Sequence, residues 1–462
     1  MNRRHFLHLA SAATALPGLA AEEASGQPAA RPSHANTVQT QPSLLSNSAR
    51  KSAFDQLTKY FAGTAPQLLR PPQGILKYPS IAPSLPGKTY STSLWDWDTL
   101  WTTRGLFAYA KLAGDRALHD QICEHAIGSL NNFLDHQSEE GRIPIMVDVH
   151  RADLFGSVEK DAPAYRNQAK PVFGQLALLT ADQIGSPERL APFLDKLLAF
   201  YSTWTKTNLS QPGLLVWGDD VAIGNDNDPT TFGRPFFSSA NLLLNCLFYQ
   251  DLKATAQLAA RVSRIGDSHQ LDAQAEQLAA KIRELCWDPR DRYFYTADVQ
   301  CVDRRAELIP TVKPGMAMSW STVPLRIQTF TGFLPLWAGI ATHDQAAQLI
   351  HANYLADDRL RAAWGVRSLS SRETMYSLVF SSNPSNWLGP VWIIVNYLTW
   401  RALGNYGFAD LQSELRDKTL RLLAKDLAAN GSLNEYYHPD TGAALSHKGF
   451  MDWNLLVMDM AG

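Results

Sequence analysis

The chain has 462 residues, with 42 Lys and Arg against 44 Asp and Glu and a formal charge of −2. So even a balance gives no electrostatic footprint for nucleic acid or for an anionic membrane surface, and the length suits one large domain or two ordinary ones. Four cysteines without metal-like spacing, and no dense run of Asp, point to no metal or other cofactor.

Residues 1–21 stand apart from the fold. Asn2-Arg3-Arg4-His5-Phe6-Leu7 resembles a twin-arginine export signal. A weakly apolar Ala/Leu run follows, then the small residues Gly18-Leu19-Ala20 for cleavage. The run is too short and too interrupted to span a membrane, so the expected destination is the bacterial periplasm. Residues 22–45, rich in Ala, Ser, Pro and Gln, read as a disordered linker, leaving 46–462 as the folded domain.

From residue 51 helical periodicity dominates and strand alternation is scarce. Leu118, Ile122, Ala126, Leu130 and Leu134 step by four, and Leu190, Phe193, Leu197, Tyr201 and Trp204 by three or four. Leu271, Ala275, Leu278, Ile282 and Leu285 do the same, each set making one apolar stripe. With weaker patterns included, the spacing predicts helices over 51–63, 98–113, 115–137, 170–184, 187–207, 237–262, 268–286, 328–338, 343–354, 390–404, 408–428 and 450–460. Pro171 and Pro390 fall at or near first helical positions, where a missing N–H costs nothing. Cys123, Cys246 and Cys286 lie in helical patterns and are expected as buried free thiols, although an exported protein leaves one disulfide open.

The twelve helices alternate short and long connections. Gaps after 113, 184, 262, 338 and 404 are a few residues long, the mark of antiparallel neighbours. Between those hairpins lie 64–97, 138–169, 208–236, 287–327, 355–389 and 429–449. Helices that alternate in direction place every short link at one end and every long loop at the other. Six hairpins in a ring make an all-α (α/α)6 toroid with its long loops at one mouth; the rival, an open α-solenoid, usually shows a repeat, and none is visible.

That parity sends four distant stretches to one face. Gly224-Asn225-Asp226-Asn227-Asp228-Pro229 is a turn by composition and holds Asp226 on a short, stiff tether, as a proton donor requires. Asn434-Glu435-Tyr436-Tyr437 lies in the last long loop. Trp95-Asp96-Trp97-Asp98 and Trp387-Leu388-Gly389-Pro390-Val391-Trp392 each end a long loop and open a helix. Most of the thirteen tryptophans lie outside the periodic stretches, either as loop anchors or as flat faces for a sugar. Gln168, Lys170 and Arg234 also fall on mouth-side segments, available to hydroxyls or a carboxylate or simply solvated.

Taken in order, Trp-Asp-Thr at 97–99, Gly-x-Asp-Asn-x-Pro at 224–229, Gly-Pro-Val-Trp at 389–392 with Asn-Tyr-Leu after it, and Glu-Tyr-Tyr-x-Pro-x-Thr-Gly at 435–442 resemble one group of glycoside hydrolases. That group includes processing α-glucosidase I and mannosylglycerate hydrolase and is related to trehalase. Trp287-Asp288, Tyr293-Phe294-Tyr295 and Trp364-Gly365-Val366-Arg367-Ser368-Leu369 look like further landmarks, and the likeness covers about residues 90–460. The resemblance implies an (α/α)6 fold and hydrolysis of an α-glycosidic bond with inversion. It implies Asp226 as general acid, Glu435 as general base, and Asp98 beside Trp97 as a sugar-gripping position. Trp95, Gln168, Lys170, Asn227, Trp387, Gly389, Trp392 and Tyr436 complete the expected substrate contacts. The chain departs from the pattern where Asp219-Asp220-Val221-Ala222-Ile223 replaces a Glu-Ser stretch. It departs again where the Gln-Trp-Asp signature of trehalase is missing, which argues against trehalose.

Glycoside cleavage needs one carboxyl protonated and another ionised. Asp220 and Asp228 lie near Asp226 in sequence and, with partial burial, are expected to raise its pKa. Inversion calls for carboxyl groups roughly 6.5–9.5 Å apart, with a water between. The expected partner is a small α-glucoside or α-mannoside cut from its end. Two other classes fit the same toroid: a polysaccharide lyase using Tyr436 or His438 as base with Asn225 at a uronate, and a non-catalytic glycan-binding protein. Asp98 has a structural alternative of its own, as a charge favouring the N-terminus of its helix.

Overall fold

Two-residue connections set the architecture. Gly114, at φ +65°, ends one helix in the left-handed region that glycine tolerates, and the Asp115 side chain next to it accepts from the Leu118 N–H to start another. Gly185, at φ +63°, and Pro187 at a first helical position make the second such corner. A computed structural model describes residues 45–160, 166–301, 311, 320–356, 358–380 and 384–462. The expected export signal, and the linker up to residue 44, lie outside the described residues.

Among the described residues there are twelve helices. They are α1 (Asn47–Thr64), α2 (Asp96–Ala113), α3 (Arg116–Leu134), α4 (Phe173–Ile184) and α5, a 3-10 turn Pro187–Phe193 running into Leu194–Asn208. Next come α6 (Leu242–Arg261), α7 (Ile265–Leu285) and α8, a turn Phe330–Phe333 leading into Leu334–Trp337. The last four are α9 (His343–Leu349, continuing as a π turn Ile350–Tyr354), α10 (Ile393–Asn405), α11 (Ala409–Asn430) and α12 (Trp453–Leu456 with Val457–Ala461).

Even-numbered helices form the inner ring. Each packs on the next even helix, and α12 returns to pack on α2, while odd helices lie outside them. Burial follows from this: 13 of the 18 residues of α2 and 14 of the 20 in α6 are buried, against 3 of 18 in α1. At the closing contact a Cβ on Gly105 would sit 2.4 Å from the Leu455 Cβ, so α2 and α12 approach as only glycine permits. The closed ring is an (α/α)6 toroid and excludes the solenoid.

Helix starts differ from the predicted ones where the mouth recruits the backbone. α4 begins at Phe173, after Pro171, because the Lys170 N–H donates to Asp96 Oδ2 (2.6 Å) instead. α10 begins three residues after Pro390, because Val391–Trp392 pairs with Tyr436–Tyr437. α6 begins at Leu242, because Ser239–Ala240 pairs with Ala297–Asp298.

These short strands lace the long loops into a belt. Ser93–Trp95 pairs with Met146–Asp148, joining the first two loops, and Asn167 Nδ2 donates to Asp219 Oδ1 (2.7 Å), joining the second and third. Strand pairing joins the third to the fourth and the fifth to the sixth. Single bridges, Thr329 to Leu369 and Ser84 to Phe450, complete the circuit. Cys123, Cys246 and Cys286 are buried and unpaired, Cys301 is partly exposed and unpaired, and no helix of the described residues is long and apolar enough to cross a membrane.

Candidate active site

The loop carrying Asp226 is built by its neighbours. Asn225, Asn227 and Asp228 are buried and bonded, whereas Asp226 between them is only half-buried. Asn225 Nδ2 donates to Asp228 Oδ2 (2.6 Å), and Asp228 Oδ1 accepts from the Thr230 N–H (2.8 Å). Asn227 Oδ1 accepts from the Trp387 N–H (2.6 Å), pinning this turn to the fifth long loop. Gly224, at φ +96°, lies against Trp97, where a Cβ would meet the indole at 3.1 Å. The Asx-rich composition is therefore a framework that presents one carboxylate. Asp220 and Asp228, the acids near Asp226 in sequence, are tied into this framework, Asp220 Oδ2 accepting from the Gly233 N–H (2.8 Å).

Glu435 comes from the opposite end of the sequence. It precedes the strand Tyr436–Tyr437, its N–H donates to the Ser446 carbonyl (2.9 Å), and its own carbonyl accepts from Trp453 Nε1 (3.2 Å). The side chain is buried, and its Oε2 meets His447 Nδ1. Burial raises the Glu435 pKa, while the hydrogen bond and charge of His447 pull it down. The imidazole responds in the opposite sense: burial lowers its pKa, but Glu435 more than offsets that, leaving it raised.

Asp98 lies in the first turn of α2, and its carboxyl hydrogen-bonds to that of Asp452 at the entry to α12. Asp452 Oδ1 accepts from Thr102 Oγ1 (2.8 Å); Oδ2 is buried with no donor among the described residues. Burial pushes Asp98 up to about 7, with Asp452 and Lys170 holding it down and Asp96 and Glu435 adding to the rise; Asp452 too is raised well above the ordinary carboxylate range, by burial and then by Asp98. Such a pair holds one proton between two carboxyls. Because the folded pKa values lie above the unfolded ones, the pair's stabilising contribution is complete below the ordinary carboxylate range and falls as pH rises toward and through about 7. Asp452→Asn can keep the Thr102 bond and donate to Asp98. It should be more stable than the parent at pH 8 by about 1 kcal/mol or more, with the gap closing toward pH 5. Urea unfolding at both pH values checks this; parallel pH dependence in the two proteins would count against the shared proton.

Tyr90, on the first long loop at φ +70°, joins these groups. Burial raises its phenol far above the usual range, and the charges of Glu435, Asp226 and Asp98, in that order, raise it further. One hydroxyl thus feels three carboxylates drawn from the third loop, the last loop and α2. Trp95 packs edge-on to the same ring, centroids 5.8 Å apart.

Other residues expected at the substrate have protein partners of their own. Lys170 Nζ lies 2.8 Å from Asp96 Oδ1, with side-chain exposures of 2% and 0%, and also donates to the Ala222 carbonyl (3.2 Å). Gln168 is buried, accepting from Thr203 Oγ1 on α5 (3.0 Å), so it faces the outer ring. Trp387 and Trp392 stack at 4.0 Å and 8°; Trp392 also packs against Tyr436 (4.5 Å, 30°) and Trp387 against Phe330 (5.6 Å, 30°). These two indoles are core plugs, since their rings are taken up by protein partners. Trp97 is buried among Trp387, Trp453 and Gly224. The Tyr436 hydroxyl donates to the Pro384 carbonyl (2.6 Å), and the Gly389 N–H to Ser368 Oγ (3.0 Å). Arg234 pairs with Asp298. Tyr90, His447 and Asp452 were not legible as site residues, because each lies in a stretch with no distinctive spacing.

A family profile described as the mannosylglycerate hydrolase MGH1-like glycoside hydrolase domain matches residues 124–451. The mannosylglycerate hydrolase of Thermus thermophilus is 33% identical over 147 residues, 29% of this chain and 31% of that protein. Mannosylglycerate hydrolase MGH1 of Selaginella moellendorffii is 32% identical over 116 residues, 25% of this chain and 21% of that one. These matched stretches span less than a third of either relative. Among solved structures, a GH63 mannosylglycerate hydrolase from Thermus thermophilus in complex with glucose superposes with a TM-score of 0.61. It is 19% identical, over 89% of this chain and all of that one, a likeness that speaks to the toroid alone.

Proposed function

The chain belongs to the mannosylglycerate hydrolase MGH1-like glycoside hydrolase family, and on that premise we propose that it hydrolyses an α-glycosidic bond with inversion. Asp226 is the general acid and Glu435 the general base. The observation that carries this reading is that Trp97, next to Asp98, packs against Gly224 of the Asp226 turn and against Trp453, whose Nε1 donates to the Glu435 carbonyl (3.2 Å). The half-buried Asp226 protonates the departing oxygen. The buried Glu435 draws a proton from the attacking water, and Asp98 grips a sugar hydroxyl. Trp95, beside Tyr90, lines the sugar's approach.

The substrate class is a small α-mannoside or α-glucoside, cleaved from its end, with a glycosylglycerate as the first candidate from the names of the relatives. Incubation with α-mannosyl- and α-glucosylglycerate and α-linked disaccharides, followed by NMR of the first product, should show the β-anomer of the released sugar. An α-anomer appearing first would overturn inversion, and a product absorbing in the ultraviolet would point to the lyase. Tyr436 and His438 give that rival little support. The Tyr436 phenol is bonded to a carbonyl and pushed up to about 12 by burial, and His438 Nδ1 accepts from the Asp440 N–H (3.1 Å).

Export to the periplasm through the twin-arginine route is the matching proposal for residues 1–21. In a bacterial host, replacing Arg3 and Arg4 together by Lys should leave the protein in the cytoplasmic fraction. Unchanged periplasmic recovery would remove the signal.

A further inference from the structure

We propose that His447 is a positioning residue for the base: its imidazole occupies one oxygen of the Glu435 carboxylate and leaves the other for the attacking water. The inference rests on the reading of Glu435 as general base.

The placement is architectural. Tyr436 pairs with Ser446 across the C-terminal hairpin, and the Glu435 N–H donates to the Ser446 carbonyl (2.9 Å), so residue 447 emerges beside Glu435. His447 then takes φ +44°, a left-handed conformation that few residues other than glycine adopt. There Nδ1 reaches Glu435 Oε2, with Ser446 Oγ 3.0 Å from the same nitrogen and the Tyr90 ring packed edge-on at 5.5 Å. Among the described residues His447 is the only hydrogen-bond partner of the Glu435 carboxyl.

The surroundings explain why a base here needs such a partner. The charge of Glu435 is felt by the acids Asp98 on α2 and Asp452 before α12, by its chain neighbour Tyr436, and by Tyr90, which also feels Asp226. Lys170, the cation that acts on Asp98, is committed to Asp96. Burial favours the protonated carboxyl, which cannot accept a proton from water. An Nδ1–H donated to Oε2 favours the ionised form and fixes the plane of the carboxylate, so that Oε1 is the oxygen that takes the water's proton.

Two measurements test this. With α-mannosylglycerate as the probe, the acid limb of the kcat/KM–pH profile should move up by about one unit in His447→Ala, roughly a tenfold loss below the limb. In His447→Gln, whose amide can donate, it should move less. A rate lowered equally at every pH, with the limb in place, would reduce His447 to packing. The second measurement needs neither turnover nor a folded His447 variant. The imidazole of His447, followed by NMR in protein labelled with 15N-histidine, should titrate at lower pH in Glu435→Gln than in the parent. If it titrates identically in both, the pairing is overturned. Glu435→Gln that retains turnover would instead withdraw the base assignment, a distinct result.

Discussion

Asp226→Asn and Glu435→Gln should each lower kcat by about 10²-fold or more while leaving the fold intact. Both substitutions keep size and remove only the ability to give or take a proton. The fold should survive for reasons visible in the surroundings. The Asp226 turn is held by Asn225, Asn227 and Asp228, and the main chain at Glu435 is held by Ser446 and Trp453. A glutamine at 435 can still accept from His447. Glu435→Gln should also abolish the acid limb of the pH profile, since the group whose ionisation defines it is gone. The parent loses activity as pH falls through the raised pKa of Glu435. Steady-state rates on the substrate found by the product-anomer screen, with circular dichroism to check the fold, decide the matter. Near-parental turnover in either variant removes that residue from the mechanism.

Lys170→Met should cost about 3–5 kcal/mol of stability, because it strands a carboxylate that has no access to water. Asp96 is fully buried, accepts from the N–H groups of Trp97 (2.7 Å) and Lys170 (2.6 Å), and has Lys170 as its cation. Burial drives Asp96 toward the neutral form, and the charge of Lys170 is the chief effect opposing it. Without that charge Asp96 takes up a proton. The deficit should therefore be largest at neutral pH and shrink in acid, where protonation is cheaper. The double variant Asp96→Asn with Lys170→Met should recover part of the loss, since no buried charge remains. Activity should fall too: Lys170 also holds the Ala222 carbonyl, two residues before Gly224 in the loop that presents Asp226. Urea unfolding of the three proteins at pH 5 and pH 7.5 is the test. A deficit below about 1 kcal/mol at pH 7.5 would mean that water reaches Asp96.

The export signal aside, the architecture is legible in the chain itself. Apolar spacing marks a helix and its buried face, connection length marks which neighbours are antiparallel, and direction then alternates by count. These are local or additive properties of a chain. They place Asp226 and Glu435 at one mouth, more than 200 residues apart in sequence, without any knowledge of contacts.

Which side of a mouth loop faces the cleft is a different kind of property. Lys170 and Gln168 lie two residues apart on a segment that parity sends to the mouth, yet Lys170 turns onto Asp96 and Gln168 onto α5. Trp387 and Trp392 carry the composition of a sugar platform but stack on each other. His447 and Asp452 acquire meaning only because a hairpin register and the closing contact of the ring set them beside Glu435 and Asp98. Chain order alone therefore determined the ring, its mouth and the two carboxylates presented there. Only tertiary packing decided which aromatics are spent on the core, which charges neutralise each other, and which partner Glu435 receives. Irregular backbone has no period to betray its buried side, and desolvation is settled by whatever arrives from elsewhere in the chain.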